Sequence, residues 1–219
     1  LAVTGWSTSN FLRYAGSLAA GPPITMACRA MLPSIGYGPS LIGLFSSAAT
    51  QTFRRQYSIG IGNTGLPYAL LGTDGGFAVT NGGGSVTAGV WSHICGRFTS
   101  APEQAIFLDG GAKVTSSISG TPTSVDRFSV GVIDSAALQN NALNTAQIAE
   151  AAIWGAALSD ADIASLATGV SPLLVHPESL IGYWPLIGEV FPSRNLLSNV
   201  SVLGLQGSLS AAPHPRVLL

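Results

Sequence analysis

Residues 148–189 read IAEAAIWGAALSDADIASLATGVSPLLVHPESLIGYWPLIGE, and their punctuation divides them into strand, helix, loop and strand. Ser159 is placed to cap a helix. Asp162 stands three residues on, as in a capping box, and Gly169 can close the last turn in the left-handed conformation. With Ser159 as the cap, Leu158 and Ile163 fall at the two staple positions, where apolar contact sets the angle at which the chain enters the helix. The spacing predicts a short helix over residues 159–168, too short to bury much alone. The flanking runs 148–154 and 180–186 are apolar and aromatic and suit a sheet.

Working outward, the chain keeps the same strand-like character. Residues 24–32, ITMACRAML, alternate so that Ile24, Met26, Cys28, Ala30 and Leu32 share one face. Further strands are predicted at 41–45, 53–61, 68–71, 77–80, 90–99, 104–108, 112–116 and 127–133, with one or two short edge strands in the first 21 residues. Thr73-Asp74-Gly75-Gly76 reads as a hairpin turn. Asp109-Gly110 is a tight reversal, because Asp tolerates and Gly freely adopts left-handed angles. Short strands with turn signals every ~8 to 12 residues point to an all-β antiparallel sandwich, not a βαβ fold. The 219 residues are assigned to one domain over 1–189, followed by a segment, 190–219, that is either a returning strand or an arm reaching a neighbour.

Composition narrows the function. Charged residues are 9% of the chain, against about 25% in ordinary soluble proteins. A surface so poor in charge must be covered by neutral polar groups or by other protein, so assembly and self-association are expected. A net charge of −1 with one lysine, Lys113, offers no footprint for nucleic acid or an anionic membrane. No run approaches the ~18 to 20 apolar residues of a membrane span, and no basic-then-apolar leader opens the chain. Cys28 and Cys95 are read as buried thiols. A disulfide would require their strands to be neighbours.

At residues 89–111, GVWSHICGRFTSAPEQAIFLDGG, Trp91 and His93 open a strand, a polar turn follows, and Ala105 to Leu108 lead into Asp109-Gly110. This order resembles the laminin-G-like, concanavalin-type jelly-roll family. The later string, through Trp154, LSDADIASLATG, SPLLVHP, SLIGYWPLIG and AAPHPRV, looks like a variant found in phage and prophage particle proteins. The resemblance implies a jelly roll acting as a non-enzymatic structural or decoration component of a virion, in contact with capsid or tail proteins. In many such domains a Tyr-Trp-Pro-Leu strand comes first, whereas here it is Tyr183 to Leu186, near the end. Relatives that hold calcium use Asp and Asn near the sheet rim. Here the following segment has Asn195 and Asn199 and no Asp, so no metal site or cofactor is expected.

No catalytic residues are assigned. Glucanases of this architecture place carboxylates at alternate positions of one strand, and no strand here has two. Gly60 to Gly65 satisfies GxGxxG, but Pro67 follows and no helix develops, so it is a turn. His93 is read as packed and hydrogen-bonded. His176 and His214 each precede proline and serve no nucleophile elbow. Trp91, Trp154 and Trp184 are read as core. The alternative function is a lectin-like module for host or surface attachment, with Trp6, Asn140, Asn141 and Asn144 as its candidate glycan contacts.

Overall fold

The computed structural model describes residues 2–4, 6–7, 9–19, 21–36, 38, 40–48, 55–99, 103–117, 120–134, 146–186, 204–206, 209–213 and 215. The strands are β1 Ala2–Thr4, β2 Phe11–Ala15, β3 Ile24–Met31, β4 Ser40–Phe45, β5 Gln56–Ile61, β6 Pro67–Thr73, β7 Gly76–Asn81, β8 Ser92–Phe98, β9 Glu103–Leu108, β10 Val114–Ser117, β11 Arg127–Val130, β12 Gln147–Trp154, β13 Leu180–Trp184, β14 Gly204–Gln206 and β15 Ser210–Ala212. One helix, α1 Asp160–Thr168, and a 3-10 turn, Pro172–Leu174, lie between β12 and β13. Two antiparallel sheets result. One runs β10-β9-β8-β3-β12-β1-β15, with β13 also on β12, and the other runs β14-β2-β11-β4-β5-β6-β7. The fold is all-β, a concanavalin-like jelly-roll sandwich, as the strand spacing predicts.

Alternation decides what the sheets bury. The predicted face of β3, Ile24, Met26, Cys28 and Ala30, lies with Leu32 in the main core. From the other sheet that core takes Leu12, Phe128, Val130, Ile42, Leu44, Tyr57, Ile59 and Leu71. Trp184 stacks on Phe128 across it, with centroids 4.6 Å apart, and Tyr57 meets Phe98 edge to face at 5.2 Å. Such pairs add about 0.5–1.5 kcal/mol beyond their buried area.

The outer face of the β8-β3-β12 sheet is covered as well. Ala27, Cys95, Phe107, Ala152, Trp154 and Tyr183 form a second apolar cluster with Leu158, Ile163 and Leu166 of the α1 region. The helix that separates two strands in sequence is therefore a lid on one sheet. Its capping box is complete, and Gly169 sits at φ 104. Ala27 is the register partner of Cys95, and Cys28 that of Ile94. The two cysteines thus stand on adjacent strands but on opposite faces, one in each cluster, and both thiols are free. Burial pushes both thiols well above the ordinary range, which keeps them protonated and unreactive.

Within the segment 190–219, β14 pairs with β2 and β15 pairs with β1, so part of it adds a strand to each sheet. No helix among the described residues is long and apolar enough to cross a membrane.

Candidate functional site

Three polar assemblies distinguish the surface and near-surface of the sandwich. The first is an open cleft of about 280 Å³ where the β6–β7 hairpin meets β10. It is lined by Leu71, Thr73, Gly75, Gly76, Phe77, Ala78 and Ser117. The hairpin turn builds it. Thr73 Oγ1 accepts from the Gly75 amide at 3.2 Å and donates to the Gly76 carbonyl at 3.3 Å. Gly76 takes φ 137 with nothing near its absent side chain, so the turn presents bare backbone. Alternation along β7 turns Ala78 and Thr80 inward and leaves Phe77 58% and Val79 39% exposed. Beneath the cleft, Gln104 Nε2 donates to the Ala78 carbonyl at 3.2 Å and Thr80 bonds Ser116, which closes this edge of the sandwich. Phe77 projects from the face of the hairpin opposite Leu71 and Ala78, so its exposed ring stands at the lip of the cleft beside the side-chain-free turn, an arrangement that can hold a small polar ligand that has an apolar face.

The second assembly is ionic. Asp134, fully buried, accepts from Arg13 Nε and Nη2, each at 2.5 Å, from Ser129 Oγ at 2.7 Å and from Arg127 Nη1 at 3.2 Å. Arg13, Ser129 and Arg127 stand on the outer face of the β2-β11-β4 sheet, opposite Phe128 and Val130. This geometry compensates one buried carboxylate with two guanidinium groups, so only the loss of both would leave it an uncompensated buried charge.

The third assembly lies under α1. Arg29 Nη2 donates to the Leu166 and Ala167 carbonyls at 3.0 and 2.8 Å, and Tyr183 Oη donates to Glu150. His93 lies beside Arg29 in register and is buried, with its backbone N–H on Asp109 Oδ1 at 2.6 Å. The expectation that His93 is packed holds. Its ring Nδ1, however, finds no hydrogen-bond partner among the described residues. Burial, with Arg29 beside it, pushes its pKa down to about 3, so the ring is neutral. The cavity bounded by Arg29, His93, Glu150 and Leu166 is about 10 Å³, the room of roughly one water and too little for a sugar ring.

The residues singled out from sequence divide differently. Trp6 is 1% exposed, its indole resting where a Gly131 side chain would stand, so it offers no open face to a ligand. Asn140, Asn141 and Asn144 lie outside the described residues, as do His214, Asn195 and Asn199. Trp154 and Trp184 are buried. Trp91 precedes β8 and packs half-buried on Ala2 and Ala149. Phe77 was not singled out. Its alternation with Ala78 was visible, but nothing in the sequence says which side of β7 faces the core. The carboxylates Glu150 and Asp134 are buried on the outer faces of opposite sheets, so they do not face each other across one cleft. Among the described residues, no group of three or more His, Cys, Asp or Glu side chains is arranged to hold a metal ion.

The two antiparallel sheets define a concanavalin-like jelly-roll sandwich. The family profile described as the concanavalin A-like lectin/glucanases superfamily, Laminin_G_3, matches residues 14–164, and the chain belongs to that family. No curated protein matches the sequence. Among solved structures, the chain is similar to the heptameric SAP-like pentraxin of Limulus polyphemus, at 14% identity and TM-score 0.56 over 72% of this chain and 75% of that one. It is also similar to a Bacteroides ovatus protein named as a candidate carbohydrate-binding protein, at 12% identity and TM-score 0.63 over 95% of this chain. The match spans 58% of that protein's length. A third is the CBM40 of Ruminococcus gnavus IT-sialidase bound to α2,3-sialyllactose, at 15% identity and TM-score 0.50, covering 66% and 81% of the two chains. At these identities the likeness is one of fold.

Proposed function

We propose that the chain is a non-catalytic carbohydrate-binding module whose ligand lies in the cleft at the β6–β7 hairpin. The observation that carries this reading is Phe77, 58% exposed beside Thr73, Ser117 and the bare Gly75-Gly76 turn. A pyranose ring has one apolar face and a rim of hydroxyls. The first suits the phenyl ring, and the second suits the turn's backbone groups. Family membership and the carbohydrate-binding relatives support the same class. The test is a glycan array on the purified chain, followed by titration of whatever binds. Phe77→Ala is expected to weaken binding at least tenfold, about 1.4 kcal/mol, with an unchanged circular dichroism spectrum. Binding by the variant equal to that of the parent would move the site elsewhere.

A second reading is attachment to a phage-like particle through protein contacts and self-association. It is supported by the charge content of 9%, which leaves a surface suited to neutral contact. In that case the chain would co-sediment with capsid or tail proteins, with little dependence on salt.

A further inference from the structure

The polar row under α1 has no part in the cleft and suits a conformational device. We infer that α1 and the turn after it form an acid-sensitive lid, which lifts when His93 takes up a proton and bares the apolar cluster beneath it. His93 is 3% exposed and stands in a row of charged groups across the outer face of the sheet. Arg29 of β3 is its register partner. Beyond Arg29, where the β12 ladder skips from Ala149 to Ala152, Glu150 accepts from Tyr183 Oη of β13. On the other side Asp109, just after β9, accepts from the His93 backbone N–H at 2.6 Å. The lid sets Leu166, Val170 and Pro172 over the small cavity, and none of these three can titrate.

A neutral imidazole donates at one nitrogen, whereas a protonated one must donate at both. Nδ1 of His93 meets no acceptor among the described residues, and the cavity has room for about one water, too little to hydrate a cation. Glu150 and Asp109 favour the proton but already accept from Tyr183 and the His93 main chain, while burial and the Arg29 guanidinium oppose it. The charged ring therefore needs more water, which enters only if one wall moves. Ala27, Arg29, His93 and Glu150 sit in strands with a neighbouring strand on both sides. The opposite wall is the lid, whose end Arg29 ties to the sheet through the Leu166 and Ala167 carbonyls. α1 has no basic residue in its own last turn, so Arg29 is also the cation at the negative end of the helix. A charge on His93 repels the group that holds the lid down. The start of α1 stays anchored, because Lys113 and Arg97 hold the Asp160 carboxyl below the usual range. His176, which meets Asp162 from outside, has its pKa raised by Glu178 and is charged before His93 titrates.

The test follows backbone amide hydrogen exchange of the whole chain from pH 6 to 4, expressed as protection relative to the intrinsic rate at each pH. In water the ring titrates near 6.5 and under the lid at about 3, so the lifted state gains up to about tenfold in population per pH unit across that window. Protection of the α1 amides 163–168 is expected to fall at least tenfold from pH 6 to 4, and at pH 4 to lie at least tenfold below that of β4 and β5. In His93→Gln the α1 protection is expected to stay flat, and His93→Leu serves as a second variant without a titrating ring should the first fail to fold. Coincident protection of α1, β4 and β5 at every pH marks global unfolding and overturns the inference. A flat α1 profile in the parent, or an unchanged slope in either variant, overturns it as well.

Discussion

Two residues carry more than their size suggests. Gly131 sits at φ 85, and a side chain there would come within 2.1 Å of Trp6 Cε3. Alanine would be strained in the left-handed region, about 1–2 kcal/mol, and would overpack the core, about 1–3 kcal/mol more. Gly131→Ala is thus expected to lose roughly 2–5 kcal/mol, read as a lower urea midpoint. His176 lies at the surface between two carboxylates, with Nδ1 on Glu178 Oε1 at 2.9 Å and Nε2 on Asp162 Oδ2 at 3.2 Å. The bond to Glu178, then the charge of Asp162, raise its pKa above the ordinary 6.5. A raised histidine contributes stability that is fully present below about 6.5 and is lost as pH rises through the folded value. His93 has the opposite sign. Held neutral by burial, it costs stability as pH falls below 6.5 toward about 3, because only the unfolded chain takes up the proton. Melting temperatures measured across pH 5.5 to 8 are therefore expected to converge for the parent and His176→Gln at the alkaline end and to separate at the acid end. Parallel curves would show that the pair does not stabilise the fold.

At the scale of the element, α1 was the most legible part of the chain. Its cap, capping box, staple and closing glycine all lie within a few residues of one another and depend on local backbone geometry. Ser159 Oγ accepts from the Asp162 amide at 3.1 Å, and Asp162 Oδ2 accepts from the Ser159 amide at 3.0 Å. Ser159→Ala is expected to cost about 1 kcal/mol, measured by chemical denaturation. What the helix covers was not legible. Arg97 ties its start through the Leu158 carbonyl and Asp160, Arg29 ties its end through Leu166 and Ala167, and Thr25 joins Ala156 and Leu158 to β3. These partners are about 60 to 140 positions apart in the chain, so no local pattern announces them. The hairpin behaves similarly. Thr73 to Gly76 read as a turn, while the exposure of Phe77 depends on β10 and β9 meeting β7.

For the whole molecule, the order of elements matters less than which strands become neighbours. The Tyr183-Trp184 strand comes late in the chain, yet it pairs with β12 and sends Trp184 into the main core, as the jelly roll requires. β14 and β15 come later still and add to opposite sheets, and Leu209 between them packs on that core. Ending the chain after Glu189 would leave β1 paired only with β12, and β2 only with β11. The truncated chain is expected to lose on the order of 2–5 kcal/mol, comparable with deleting a buried side chain or two, seen as a lower melting temperature. Unchanged melting would mark residues 190–219 as dispensable to the sandwich. The sequence alone determined the all-β class, the helix and its caps, the principal turns and the inward face of β3. Each of these follows from side-chain alternation or backbone preference over a few residues. Only the tertiary structure decided that Trp6 is core, that Asp134 and Glu150 are buried on opposite sheets, that the cysteines face apart and that Phe77 is exposed at the edge of a cleft. Those facts depend on which face of each strand meets the other sheet, and that is settled by contacts between segments far apart in the chain.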